Sequence, residues 1–325
     1  MSKPTLRKFK RTKSQTTSTK TSMNEMTLDE MFNAFMIVKK SEALAPRTIS
    51  DYYNNFNYFK EFIGKDLNRC EITKDVFRNF IGYMLNEKSL SPVTVNVRIQ
   101  TLRAFIRFCY LENYIEDPIH ESFKPVKTPQ DTIESLTVNE LKLLFSVIDE
   151  EMYTGFRDKV MILVLLDTMV RISELVSIKR SNVDLDSGFI KLEATDTKTR
   201  RSRIVPLSSK TIKLLADYIE ETTDFGSDDL FLTYDGRNIS ASTFRERLTY
   251  YGELAGIKNK RVSPHTFRHT GALLYIMNGG DPFSLQKILG HGHMNMVRKY
   301  IQMTNMDVRR QHNSFSPLNG IFKKT

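Results

Sequence analysis

Pro264 to Gly280, PHTFRHTGALLYIMNGG, is the stretch on which the reading of this chain turns. His265, Arg268 and His269 crowd into its first part, and the text then becomes apolar. Histidines four apart are spaced as in a helical zinc site. Here the intervening residues are Thr, Phe and Arg, so no glutamate is available as a base and Arg268 would set a positive charge beside the metal. An anion suits these side chains better. Arginine grips two phosphate oxygens in a planar fork, and imidazole gives or takes a proton near neutral pH. The expectation is a phosphate pocket at the start of a helix, with no metal and no cofactor.

The charge balance says where such a phosphate would come from. Against 38 Asp and Glu the chain carries 48 Lys and Arg, a net charge of +10 with a pI near 9.4, which favours a nucleic-acid partner. A membrane is excluded on length: the most apolar run, Val160–Leu166, falls far short of the roughly 20 residues that span a bilayer. Residues 1–22 lack the apolar segment of a secretory signal. Cys70 and Cys109 have no CxxC partner or metal-ligand spacing and read as small core residues, so a cytoplasmic setting is expected.

With 325 residues there is room for two domains. Residues 1–25 hold Lys3, Arg7, Lys8, Lys10, Arg11, Lys13 and Lys20 among Ser and Thr, and read as a basic flexible tail. Thr27 and Glu30 then form a capping box ahead of a stripe of Leu28, Met31, Phe32, Phe35 and Met36. A second helix follows Pro46 with Ile49, Tyr52, Phe56, Phe59 and Ile63, and a third runs near Lys74–Glu87. Ser91-Pro92 opens a fourth, whose apolar face is Val95, Ile99, Leu102, Phe105, Ile106 and Cys109. Arg98, Arg103 and Arg107 lie off that stripe, either a solvated face or a DNA-facing one. Residues 26–119 are thus a small all-α domain, and the Pro-rich polar stretch 120–135 reads as a linker.

Thr137 and Glu140 cap the first helix of a second domain, residues 136–312, in which helices lead to the strand-like segments GFIKLEA, RSRIVPL and DLFLTY. The fold class is therefore mainly α with a small antiparallel β-sheet. Arg171 ends an apolar helix and needs a partner, which Glu174, one turn on, provides. Lys198, Arg200, Arg201 and Arg203 cluster near a hairpin tip, where a two-stranded ribbon tipped with cations suits a nucleic-acid groove. His291 lies in LGHGH, and Tyr300 follows nine residues later.

Singly each feature is ordinary, but their order is not. Arg-x-x-Glu-Leu at Arg171, the Lys198 hairpin ending in Val-Pro-Leu, His-x-x-Arg-His-Thr at His265, and Leu-Gly-His followed by Tyr300 together resemble the tyrosine recombinases, the family of phage integrases and of Xer-type and transposon-encoded recombinases. The likeness covers about residues 137–305, and the helical domain resembles the family's SAM-like core-binding domain. Departures are Met169 where the family usually has glycine, Val297 where it often has threonine, and Gln302 in place of a common histidine.

The resemblance implies site-specific recombination of double-stranded DNA without metal or ATP. Arg171 and Arg268 would bind the scissile phosphate, with Glu174 and His269 behind them. Lys198 would be the general acid, His265 and His291 would complete the pocket, and Tyr300 would be the nucleophile. It further implies a homotetramer on two core sites, with an accessory or partner recombinase as a possible addition. Residues 313–325, with Phe315, Leu318, Ile321 and Phe322, would be either a docking segment for a neighbour or a frayed tail. The expected roles are integration or excision of a mobile element, or resolution of replicon dimers. A DNA-binding regulator without catalysis and a monomeric type IB topoisomerase are the alternatives.

Overall fold

A computed structural model of the chain describes residues 26–128, 133–194, 202–290, 294–303 and 308–320. The basic tail falls outside them. Two units separate, Met1–Asp131 and Thr132–Thr325.

In the first unit, helices α1 (Leu28–Ser41), α2 (Pro46–Ile63), α3 (Lys74–Gly82) and α4 (Pro92–Leu111) form where the stripes place them. A π-helical turn, Tyr83–Glu87, prolongs α3. Thr27 and Glu30 make the reciprocal cap, with the Glu30 carboxylate accepting from the Thr27 N–H at 3.0 Å. The α1 stripe and all six apolar residues of the α4 face are buried. They meet α2 in an aromatic core: Phe32 stacks on Phe56 at 3.6 Å and Phe105 packs edge-on to both.

This unit extends beyond the expected boundary at residue 119. A short helix α5 (Ile119–Ser122) follows, Ile119 and Phe123 are buried, and Phe123 stacks on Phe77 at 4.7 Å. Asn96 then pins Val126 through both of its backbone groups, at 2.8 and 2.7 Å. A few side-chain anchors thus hold a polar, proline-rich segment that has no periodicity to betray its docking. Cys109 is buried as expected, but Cys70 is exposed, because it sits on a 3₁₀ turn (Arg69–Glu71) rather than on a helix stripe.

The second unit contains α6 (Val138–Ser146), α7 (Tyr153–Thr168), α8 (Ile172–Val176), a sheet, α9 (Ser209–Glu221), α10 (Ala241–Leu254), α11 (Pro264–Met277), α12 (Pro282–Leu289), α13 (Asn295–Met303) and α14 (Val308–Phe315). The sheet is antiparallel in the order β1 (Val183–Asp184), β2 (Phe189–Leu192), β3 (Arg203–Pro206). Ile190 pairs with Val205, both fully buried, whereas Ile204 between the inward residues of β3 is exposed. DLFLTY is not a strand of this sheet. Leu230, Phe231 and Leu232 are all fully buried rather than alternating, and side chains serve the Leu232 backbone: Tyr218 accepts from its N–H, while Tyr153 and Arg157 donate to its carbonyl.

Helix α7 is the spine, packed against both α9 and α11. Gly271 permits the close approach to α11, since a Cβ there would lie 2.4 Å from the Leu166 carbonyl oxygen. A small satellite core of Met169, Ala272, Ile276, Leu285, Leu289, Val297 and Tyr300 seats α13. Phe315 and Leu318 near the carboxyl end are exposed, and Ile321 and Phe322 lie outside the described residues. Among the described residues no helix is long and apolar enough to cross a membrane.

Candidate active site

The site is built around a carboxylate. Glu174, on α8, is wholly buried, which by itself would push its carboxyl pKa up. Arg203 opposes this with a two-pronged pair at 2.7 and 3.0 Å, the Arg171 N–H donates at 2.8 Å, and the Arg171 guanidinium donates at 2.9 Å. Together these donors outweigh burial and hold Glu174 below its ordinary value, ionised at neutral pH. Arg171 is the residue at which the chain enters α8, so the carboxylate fixes both its backbone and its side chain. Its guanidinium retains some exposure, 19%.

Arg268, on the first turns of α11, is almost entirely buried. It donates to the Met169 carbonyl at the end of α7 and, at 2.8 Å, to the Leu289 carbonyl at the end of α12. Both acceptors are helix C-terminal carbonyls, where partial negative charge collects. Burial, reinforced by the charge of Arg171, draws its pKa down to about 10, so it remains a cation at neutral pH. His265, one turn earlier on α11, is at the exposed rim. Partial burial of its ring, then the charges of Arg268, Arg245, Arg171 and Arg261, hold its pKa below the usual imidazole value. Its neutral ring therefore stands in a field of four arginines.

Tyr300, on α13, is fully buried, and its hydroxyl lies 2.6 Å from Nδ1 of His269. Burial raises the phenol pKa while the Arg268 charge works against that rise. His269 is thus engaged with a phenol.

Chemically this is an anion site with an adjacent phenol. The sequence pattern of the phage integrase family matches residues 134–306, and that of the phage integrase SAM-like domain matches residues 27–125. The chain belongs to the phage integrase family. It is a tyrosine recombinase, a site-specific DNA strand-breaking and rejoining enzyme. It is 28% identical over 308 residues to the tyrosine recombinase XerD of Listeria innocua, spanning 91% of this chain and 99% of that one. Its fold is similar to the Tn1549 transposon integrase in complex with a circular intermediate DNA, with a TM-score of 0.76 at 18% identity over 89% of this chain and all of that one. It is also similar to a lambda integrase tetramer bound to a Holliday junction, with a TM-score of 0.72 at 17% identity over 88% and 84% of the two chains.

Of the residues the sequence singled out, the recombinase brings Arg171, Glu174, His265, Arg268, His269 and Tyr300 into one interacting cluster. Lys198, Arg200, Arg201 and His291 lie outside the described residues. Arg203 is a correction. Rather than facing DNA, it is turned inward, with its guanidinium on Glu174 and its Nε on the Ile288 carbonyl at 3.0 Å. Gly290 closes over it, 3.1 Å separating that guanidinium from where a Cβ would stand. On α4, Arg98 lies over the Tyr58 ring at 3.7 Å and Arg103 donates to the His120 carbonyl at 3.0 Å, while Arg107 is exposed.

Sequence reading missed Arg245 and Arg261, whose charges reach His265 from outside its own helix. It also missed a second buried ion network, in which Asp158 accepts from Arg157, Arg247 and Tyr251. Each is only partly local: Arg261 stands four residues before His265 and Arg157 beside Asp158, but Arg245 reaches His265, and Arg247 and Tyr251 reach Asp158, from distant parts of the chain.

Proposed function

We propose that Tyr300 attacks a DNA phosphodiester held by Arg171 and Arg268, releasing a 5′-hydroxyl and forming a 3′-phosphotyrosine ester. The two guanidinium groups bind the non-bridging oxygens, and each such donor contributes about 3 kcal/mol to a transition state in which those oxygens gain charge. Lys198 donates the proton that the 5′-oxygen needs in order to leave. His265, neutral near pH 7, and His291 complete the donor set. Rejoining reverses the bonds: a 5′-hydroxyl attacks the phosphotyrosine, the phosphodiester reforms and Tyr300 recovers its proton. The ester keeps the bond energy, so ATP is unnecessary.

One observation carries this reading, a buried phenol that contacts His269 on the same helix as Arg268 and feels the Arg268 charge. Because Tyr300 has no exposed surface, cleavage requires α13 to shift until the phenol leaves His269 for the phosphate. The substrate is double-stranded DNA with specific core sites, bound by four protomers on two sites; the neighbour solved as a tetramer on a Holliday junction supports that stoichiometry. Each unit brings cations to the duplex, Arg107 on the α4 face among them, and binding weakens steeply with salt. The setting is cytoplasmic, and the role is recombination of a mobile element or of replicon dimers.

The test is a two-site assay on a supercoiled plasmid carrying the DNA that flanks the gene. Recombinant circles support the proposal. Relaxation without exchange would make the protein a topoisomerase, and binding without strand cleavage would make it a regulator.

A further inference from the structure

Met169 stands at the end of α7 with φ +52° and ψ +30°, a left-handed conformation that a side chain with a Cβ rarely adopts. Two features meet at this strained residue. Its carbonyl accepts from the buried Arg268 guanidinium. Its side chain, 2% exposed, belongs to the satellite core that also contains Val297 and Tyr300 of α13. Gly271 of α11, one turn beyond Arg268, leaves room for it, since a Cβ there would come within 2.8 Å of the methionine Cγ. One residue therefore touches both the anchor of a phosphate-binding arginine and the seat of the phenol.

We propose that Met169 is a positioning residue with two separable parts: a left-handed backbone that aims the carbonyl at Arg268, and a side chain that holds the Tyr300 helix in its tucked position. Glycine is at home at this φ and would keep the first part while removing the second. The side chain thus acts as a restraint on release of Tyr300. Strain concentrated at a functional site is the pattern expected when a backbone conformation serves the site rather than the fold.

The decisive reading is the accessibility of Tyr300 in the full-length protein without DNA, measured as its rate of nitration by tetranitromethane and mapped by mass spectrometry against the exposed Tyr234. This readout does not depend on Tyr300 being the nucleophile. Met169→Gly should nitrate Tyr300 about fivefold faster than wild type, as local opening of the seat becomes easier. Met169→Leu, which restores the bulk, should return the rate to within about twofold. Met169→Asn replaces the apolar side chain with a shorter, polar one that tolerates the left-handed backbone and packs poorly in the seat, and substitutes for the glycine variant should that one not fold. Met169→Ile keeps the bulk but its β-branch opposes the left-handed backbone, so it should weaken binding of a core-site duplex more than Met169→Gly does. Unchanged Tyr300 nitration in folded Met169→Gly or Met169→Asn overturns the restraint, and equal DNA affinity of the isoleucine and glycine variants overturns the anchor.

Discussion

Replacing Glu174 with glutamine removes one charge and almost no volume, which makes it a clean test of how the site is held. The carboxylate has no exposed surface and accepts from Arg203 twice and from Arg171 twice. Glutamine offers one acceptor oxygen, and its NH₂ group would point at guanidinium donors. Two cations, with Arg268 close behind, would then share a pocket with no counter-charge. Breaking a buried ion pair by removing one partner costs about 3–5 kcal/mol. At roughly 2–4 °C per kcal/mol for a domain of this size, the second unit should melt on the order of 10 °C lower.

The pH dependence has a defined sign. Because the folded pKa lies below the ordinary 4.5, Glu174 stabilises the native state above that value, and the contribution is lost as pH falls through the lower, folded pKa. Urea titrations from pH 7 down to pH 3 should show wild type losing its advantage over Glu174→Gln in that acid range. A variant within about 1 kcal/mol of wild type at pH 7 would refute the view that the carboxylate organises the site.

Two further outcomes follow from the same geometry. His265→Asn should match wild type in stability at pH 8 and gain on it below pH 6.5, because the depressed folded pKa lets the unfolded chain take its proton first; urea titrations at both pH values check this. Arg247→Met deprives buried Asp158 of a 2.6 Å partner while Arg157 remains, and should cost about 2 kcal/mol by thermal denaturation. It also serves as a control: at equal loss of stability, Glu174→Gln should slow DNA cleavage far more.

The helices of the first unit were legible because their stripes and caps are local. Thr27 with Glu30, and the whole α4 face, needed nothing beyond the 3.6-residue period. The residues of the candidate site stand out through the order of their motifs, although no spacing reveals the contact of His269 with the phenol. Arg203 was misread among the cations of the hairpin, yet the signal was present. On β3 it shares a face with buried Val205, while exposed Ile204 takes the other, so the two-residue period of a strand assigns Arg203 to the inside. Leu230–Leu232 looked like a strand because three apolar residues in a row fit one, and only the surrounding Tyr153, Arg157 and Tyr218 decide otherwise. Phe123 and Val126 could not be placed from sequence, since their partners Phe77 and Asn96 come from distant helices.

In the proposed reaction the Tyr300 oxygen becomes bonded to a DNA 3′ end. A nicked core-site duplex, from which the short cleaved strand diffuses away, traps that ester, and trypsin digestion with mass spectrometry locates it. The expected product is a nucleotide adduct on the tryptic peptide that begins at Tyr300, absent from Tyr300→Phe. An adduct on any other residue, or one that survives in Tyr300→Phe, would contradict it.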